Sequence, residues 1–131
     1  MSAPVSLWSA AKANDLSALT RLLDAGAEID ATDTRGYSPL MLATYSGHLQ
    51  VAELLLRRGA DPNSCDFAGN SVLMGAAFKG HLELVKQLID AGANLHARNH
   101  AGLSALNFAE QFARTDVLQF IMQRGVALPN R

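Results

Sequence analysis

The sequence predicts an all-α solenoid of stacked helical units, and three observations predict it. Gly26, Gly59, Gly92 and Gly125 each fall 33 residues after the last. Gly36, Gly69 and Gly102 keep that spacing, and so do Ala10, Ala43, Ala76 and Ala109. Self-similarity at this period means that each unit buries its apolar face only against its neighbours. A chain of 131 residues with 49% apolar content can build one real core and is not disordered. A solenoid offers a long concave surface and usually no deep catalytic pocket, so binding is the function this architecture points to.

The first unit starts directly at a helix, with Leu7 and Ala10. It continues through Leu16, Leu19 and Leu22-Leu23 to Gly26-Ala27. The second unit is the clearest. Ser38 can cap a helix with its hydroxyl, and Pro39 suits the first helical position, where no N–H is needed. A short helix is expected over Leu40 to Ser46, ended by Gly47 in a left-handed conformation. A second helix is expected over Gln50 to Arg58. Val51, Ala52, Leu54, Leu55 and Leu56 cover most of its girth, as befits a helix sandwiched between units. Arg57 and Arg58 complement the helix dipole in its last turn, and Gly59 terminates it. Asp61-Pro62-Asn63 and the Asp66-to-Gly69 segment carry turn chemistry into the third unit. That unit repeats Ser71, Leu73, Ala76, Gly80-His81, Leu82, Val85, Leu88-Ile89 and Gly92-Ala93. The fourth has Asn99, Gly102, Ser104, Leu106, Ala109, Val117, Leu118, Ile121-Met122 and Gly125. We read residues 1–131 as one domain, with units at about 5–32, 33–65, 66–98 and 99–128.

These residues resemble the ankyrin repeat family, a 33-residue unit with a Thr-Pro-Leu-His-x-Ala signature. Here the signature reads Ser38-Pro39-Leu40-Met41-Leu42-Ala43, Ser71-Val72-Leu73-Met74-Gly75-Ala76 and Ser104-Ala105-Leu106-Asn107-Phe108-Ala109. Gly47-His48, Gly80-His81 and the Gly-Ala pairs at 26, 59 and 92 add to it, and the match runs from Leu7 to Val126. A 34-residue tetratricopeptide unit fails on the period and on the turn-rich segments. The resemblance implies two antiparallel helices per unit, a projecting β-hairpin-like loop and a curved array.

Departures from the pattern are informative. Val72 and Ala105 replace the proline, so the third and fourth units lose a preorganised helix start. Met41, Met74 and Asn107 stand where the family's loop-bracing histidine would be, which predicts looser loops. Ala113 and Arg114 replace Gly-His, and Asn14 holds the matching place in the first unit. Atypical end units suit faces that meet water, so the four units read as two caps around two full repeats. Gly75 leaves a void between Leu42 and Phe108 of its neighbours, which Phe108 is expected to fill. Trp8, on the first unit, is expected to cover the open edge of the stack rather than extend the binding face.

Composition and motifs narrow the chemistry. Net charge is −1 with no run of five like charges, which points away from nucleic acid and anionic membranes. Met1 to Ser6 have neither a basic region nor a following apolar run, so no secretion signal and no membrane span are expected. The single Cys65 permits no internal disulfide and suits a reducing, cytoplasmic setting. No Lys, Arg or His lies within three residues of it to lower its pKa. No phosphate loop, dinucleotide fingerprint, nucleophile elbow or zinc-ligand spacing occurs. His48 and His81 recur at the repeat period, which predicts structural hydrogen bonding rather than ligation. His96 and His100 fall in a loop without a carboxylate or cysteine cluster. Glu110 and Asp116 read as solvated helix charges. We expect no enzyme, no cofactor and no metal.

The resemblance implies that a protein partner binds the loop tips and short first helices. The family's contact positions fall here on Arg35, Tyr37 and Tyr45, on Phe67, Asn70, Phe78 and Lys79, and on His100 and Phe112. Thr34, Ser46, Ala68, Ala101, Leu103 and Gln111 complete the set, with Lys12 and Ala13 on the first unit. Five of the chain's eight aromatics fall here, where the repeat signature needs none, and exposed aromatics beside basic residues make binding hot spots. Tyr45 and Phe78 could instead pack against adjacent helices and stiffen the array. Met41 and Met74 read as core fillers. We expect a monomeric adaptor, scaffold or inhibitor. The alternative is a self-associating subunit sealed through Phe112 and Phe120 of the last unit, with an isologous dimer contact.

Overall fold

The computed structural model describes residues 6–125, so the Met1–Val5 segment and the expected outer bounds at 5 and 128 lie outside the described residues. Eight helices occur among those residues, paired along the chain. They are α1 (Leu7–Lys12), α2 (Leu16–Asp24), α3 (Pro39–Tyr45), α4 (Leu49–Arg57), α5 (Val72–Lys79), α6 (Leu82–Asp90), α7 (Ala105–Gln111) and α8 (Thr115–Gln123). Each odd helix packs on the even helix that follows it. The second-unit helices start one residue earlier than expected and also end one residue earlier, with Ser38 capping α3 through the Met41 N–H.

Each first helix begins on a capping residue. Ser6, Ser38, Ser71 and Ser104 accept from the backbone N–H three residues on. The missing histidine brace has substitutes. Asn107 Oδ1 accepts from the Ser104 N–H at 2.9 Å, and Met74 Sδ accepts from the Ser71 N–H at 3.4 Å. Helix starts without proline therefore still satisfy their first backbone donors.

The core is a ladder of equivalent positions. Leu40, Leu73 and Leu106 are 1–2% exposed. Ala10, Ala43, Ala76 and Ala109 are at most 1% exposed. Val51, Leu84 and Val117, then Leu55, Leu88 and Ile121, form the matching rows on the second helices. The alanine row lets α1, α3, α5 and α7 approach one another more closely than α2, α4, α6 and α8 do. An array packed tighter on one row curves toward it, so the first helices line the concave face.

The connecting loops are hairpin-like. Asp33, Asp66 and Asn99 each donate their N–H to the carbonyl four residues on (Tyr37, Asn70, Leu103), and their side chains accept two further N–H groups. In the third unit the loop widens into an antiparallel bridge between Cys65 and Ser71.

The helix pairs join through left-handed residues. Gly47 and Gly80 have φ of 75° and 73°. Asn14 and Ala113 occupy the same turn at 60° and 55°. For alanine that conformation costs about 1–2 kcal/mol. Ala113→Gly is therefore expected to raise stability by roughly 0.5–1 kcal/mol, the gain reduced by glycine's larger unfolded-state entropy. Gly80→Ala is expected to lower it, because φ is positive and a Cβ would sit 2.9 Å from Arg114 Cδ. Urea midpoints of the two variants should move in opposite directions.

Candidate protein-binding face

The concave row gathers residues from three units around one groove. Its volume is about 460 Å³. Arg35, Tyr37 and Tyr45 come from the second unit. Asn70, Phe78 and Lys79 come from the third, with Met74 and Gly75 beneath them and Phe108 from the fourth. Six of the nine residues singled out in the sequence thus line a single groove.

Gly75 decides its shape. A Cβ at this position would overlap the Tyr45 ring, which lies across the glycine. The void beside Gly75 is filled by Tyr45 of the preceding unit, not by Phe108 as the sequence suggested. Residue identity at adjacent positions could not show from which side the filler comes. Phe108 is instead half-buried on the opposite wall of the groove, edge-on to Phe78 with ring centres 6.4 Å apart. Tyr45 meets Tyr37 edge-on at 5.7 Å. Burial, with smaller contributions from Asp66 and Tyr37, pushes the Tyr45 phenol up to about 12. Tyr45 is therefore both a packing residue and a groove wall.

The other three residues, Phe67, His100 and Phe112, lie outside its lining. Phe112 is the C-cap of α7 and meets Phe78 edge-on at 4.6 Å, with 40% of its surface exposed. It extends the Phe78 cluster at the far end. Phe67 is 72% exposed at its loop tip, and the face it does bury lies against Gly36 of the preceding unit. His100 does the same one period later. Its ring lies against Gly69, and its N–H donates to the Ala68 carbonyl at 3.0 Å. The loop tips thus form a ladder in which each side chain covers the previous unit's glycine. A side chain on either glycine would meet its ring. Asn70 links the loops at a second level, accepting from Asn99 Nδ2 at 2.8 Å.

Two charges are built into the rim. Arg35 lies 4.7 Å over the Tyr37 ring and donates to Asp33 at 3.2 Å. Burial pushes the Asp33 carboxyl up, but the Tyr37 and Arg35 N–H groups and the Arg35 guanidinium outweigh it and hold it below its usual range. Lys79 is exposed at the other rim, its ammonium 6.0 Å from the centre of the Phe78 ring.

This chain matches the family model for ankyrin repeats, in three copies, over residues 7–99 and 53–130. The chain belongs to the ankyrin repeat family. No curated protein matches it. Ankyrin repeats are generally protein–protein interaction modules and are typically not catalytic. Among the described residues no cluster of His, Cys, Asp and Glu could hold a metal ion, and no helix is long and apolar enough to cross a membrane.

In this ankyrin array the recurrent histidines work between units. His48 Nε2 lies 3.0 Å from the Lys12 carbonyl oxygen, to which it donates in one tautomer. Arg114, at the histidine position of the last unit, donates to the Phe78 carbonyl at 2.9 Å. His81 lies against Gly47. Trp8 is half-buried and donates to the Ala31 carbonyl at 2.8 Å, tying the first helix to the following loop. Phe120 belongs to the other side of the array, with Lys86 and Arg124 over its ring at 5.6 and 4.7 Å. It and Phe112 lie on different helix rows and do not form one patch.

Burial holds the His81 imidazole below its ordinary range, and the positive charges of Lys79 and Arg114 add to it. The folded array thus prefers the neutral ring. That preference is fully present above about pH 6.5 and is lost as pH falls through the lower folded value. The melting midpoint of the wild type, relative to His81→Gln, should accordingly fall as pH drops from 7.5 toward 5. Gly75→Ala should destabilise on balance. Alanine improves the helix by about 1 kcal/mol, while overpacking against Tyr45 costs about 1–3 kcal/mol. Denaturant titration reads the stability, and an absorbance titration should show the Tyr45 phenol ionising at lower pH once its ring is displaced.

Proposed function

We propose that this ankyrin array is a non-catalytic adaptor, scaffold or inhibitor that holds one protein partner on its concave face. Convergence carries the reading. Arg35, Tyr37, Tyr45, Asn70, Phe78 and Lys79, scattered over 45 residues of sequence, line one groove, and Phe112 packs against Phe78 beside it. Phe67, Phe78 and Phe112 are 72%, 37% and 40% exposed. A folded chain gains nothing from leaving such rings in water, whereas an interface gains a desolvated anchor from each. Arg35 and Lys79 favour a partner that is acidic in part. The single exposed thiol, Cys65, suits a reducing compartment such as the cytoplasm.

A paired pull-down from the host lysate tests this reading. The baits are the wild type and a Phe67→Ser, Phe78→Ser variant whose helicity is checked by circular dichroism. A protein retained by the wild type and lost from the variant is the expected result. Equal retention by both baits would place binding off this face and favour the last unit. Light scattering across concentration would then decide whether self-association through Phe112 is the chain's function.

A further inference from the structure

We propose that the groove between Tyr45 and Phe78 receives one large apolar side chain of a partner segment whose neighbouring residues are acidic. This rests on the concave-face reading above and adds the chemistry of what is bound. The absent side chain at position 75 leaves a gap against the backbone at the base of the groove. Tyr45 crosses that gap and stops edge-on against Tyr37, which leaves open space before Phe78 and Phe108. Four rings form the walls and Met74 lies in the floor. Its volume, about 460 Å³, is that of a small-molecule cleft, roughly 300–1,000 Å³, and so admits one large side chain with part of its neighbours. Within its wall Tyr45 packs edge-on against Tyr37, and Phe78 against Phe112.

The rim selects the charge of the occupant. Aromatic walls alone would also suit a cation. The lining carries Arg35 and Lys79 against one carboxylate, Asp66, and so favours an anion by one charge. Asp66 Oδ1 accepts the Ala68 and Asn70 N–H groups at 3.0 and 2.9 Å, and its Oδ2 accepts Asn70 Nδ2 at 3.3 Å. Its carboxylate is committed to its own loop. Arg35 gives Asp33 one side-chain donor of a five-donor guanidinium, and its side chain is 59% exposed. Lys79 stands exposed on the opposite wall. A carboxylate reaching either cation forms a charge-assisted hydrogen bond beside rings that exclude water. A partner cation meets two like charges there. An acidic segment with one Leu, Met, Phe or Trp anchor satisfies both the cavity and its rim.

The test takes the full chain and a displayed library of short random peptides. Selected peptides are labelled and titrated by fluorescence anisotropy against the wild type, Lys79→Glu, Arg35→Ser and Phe78→Ala. Melting curves confirm that each variant is folded, and the two exposed rim substitutions guard against a misfolded Phe78→Ala. The expected peptides share one large apolar residue with Asp or Glu beside it. Lys79→Glu and Phe78→Ala should each weaken them on the order of tenfold, and added salt should weaken wild-type binding. Basic or uncharged consensus peptides, unchanged affinity in folded Lys79→Glu, or a selection that yields no binder would overturn the proposal. The broader reading is separable. A lysate partner lost from the Phe67→Ser, Phe78→Ser variant but indifferent to Lys79→Glu leaves concave-face docking standing and removes this pocket chemistry. A partner retained by every variant removes both.

Discussion

The structure depends on close contact along the row of first helices. Ala10, Ala43, Ala76 and Ala109 are buried at that contact, one per unit. Alanine carries no side-chain entropy and allows close backbone approach, so the row packs tightly. The second helices, with Val51, Leu84 and Leu88 among their contact residues, stand further apart. That difference bends the array. It also sets the spacing at which loop tips and helix ends from successive units face one another. A larger residue in the alanine row would alter the curvature and with it every inter-unit contact on the concave side.

Local hydrogen bonding then carries the register outward. The side chains of Asp33, Asp66 and Asn99 fold their own loops, and the loops touch through Asn70, Asn99 and the His100 N–H. Glycines at Gly36 and Gly69 let the next unit's Phe67 and His100 lie flat against the backbone. At the other end of the first helices, His48 and Arg114 reach back to carbonyls of the preceding unit. These contacts are individually weak, yet they fix where each exposed ring sits. The groove is thus assembled beside residues that hold neighbouring units in register, and Tyr45 serves both as packing and as groove wall.

Charge and aromaticity divide the surface. The concave side offers Arg35 and Lys79 beside Tyr37, Tyr45 and Phe78, whereas the other helix row carries pairs such as Arg58 with Asp24 and Lys86 with Glu83. Exposed pairs of the latter kind contribute little to stability and mainly keep that face solvated. A cation fixed over a ring and bordering an apolar groove is better placed to act on a partner, because part of its desolvation is already complete in the free array.

By itself the sequence determined the period, the helix pairs, their caps and their left-handed joints. Each of these follows from chemistry within one unit, as Ser38 with Pro39 or the glycine at 47 shows. The resemblance to ankyrin repeats also marked contact positions, six of which line the groove. The tertiary structure alone decided the filler of the Gly75 void, because Tyr45 and Phe108 are both within one period and only backbone direction chooses between them. It likewise decided that Phe112 joins Phe78 while Phe120 lies on the other row. Asn107 replacing the family's histidine as a brace, and Phe67 resting on Gly36, depend on distances between atoms that sequence spacing does not encode. Contacts within a unit are written in local order, whereas contacts between units are set by how tightly the helices stack.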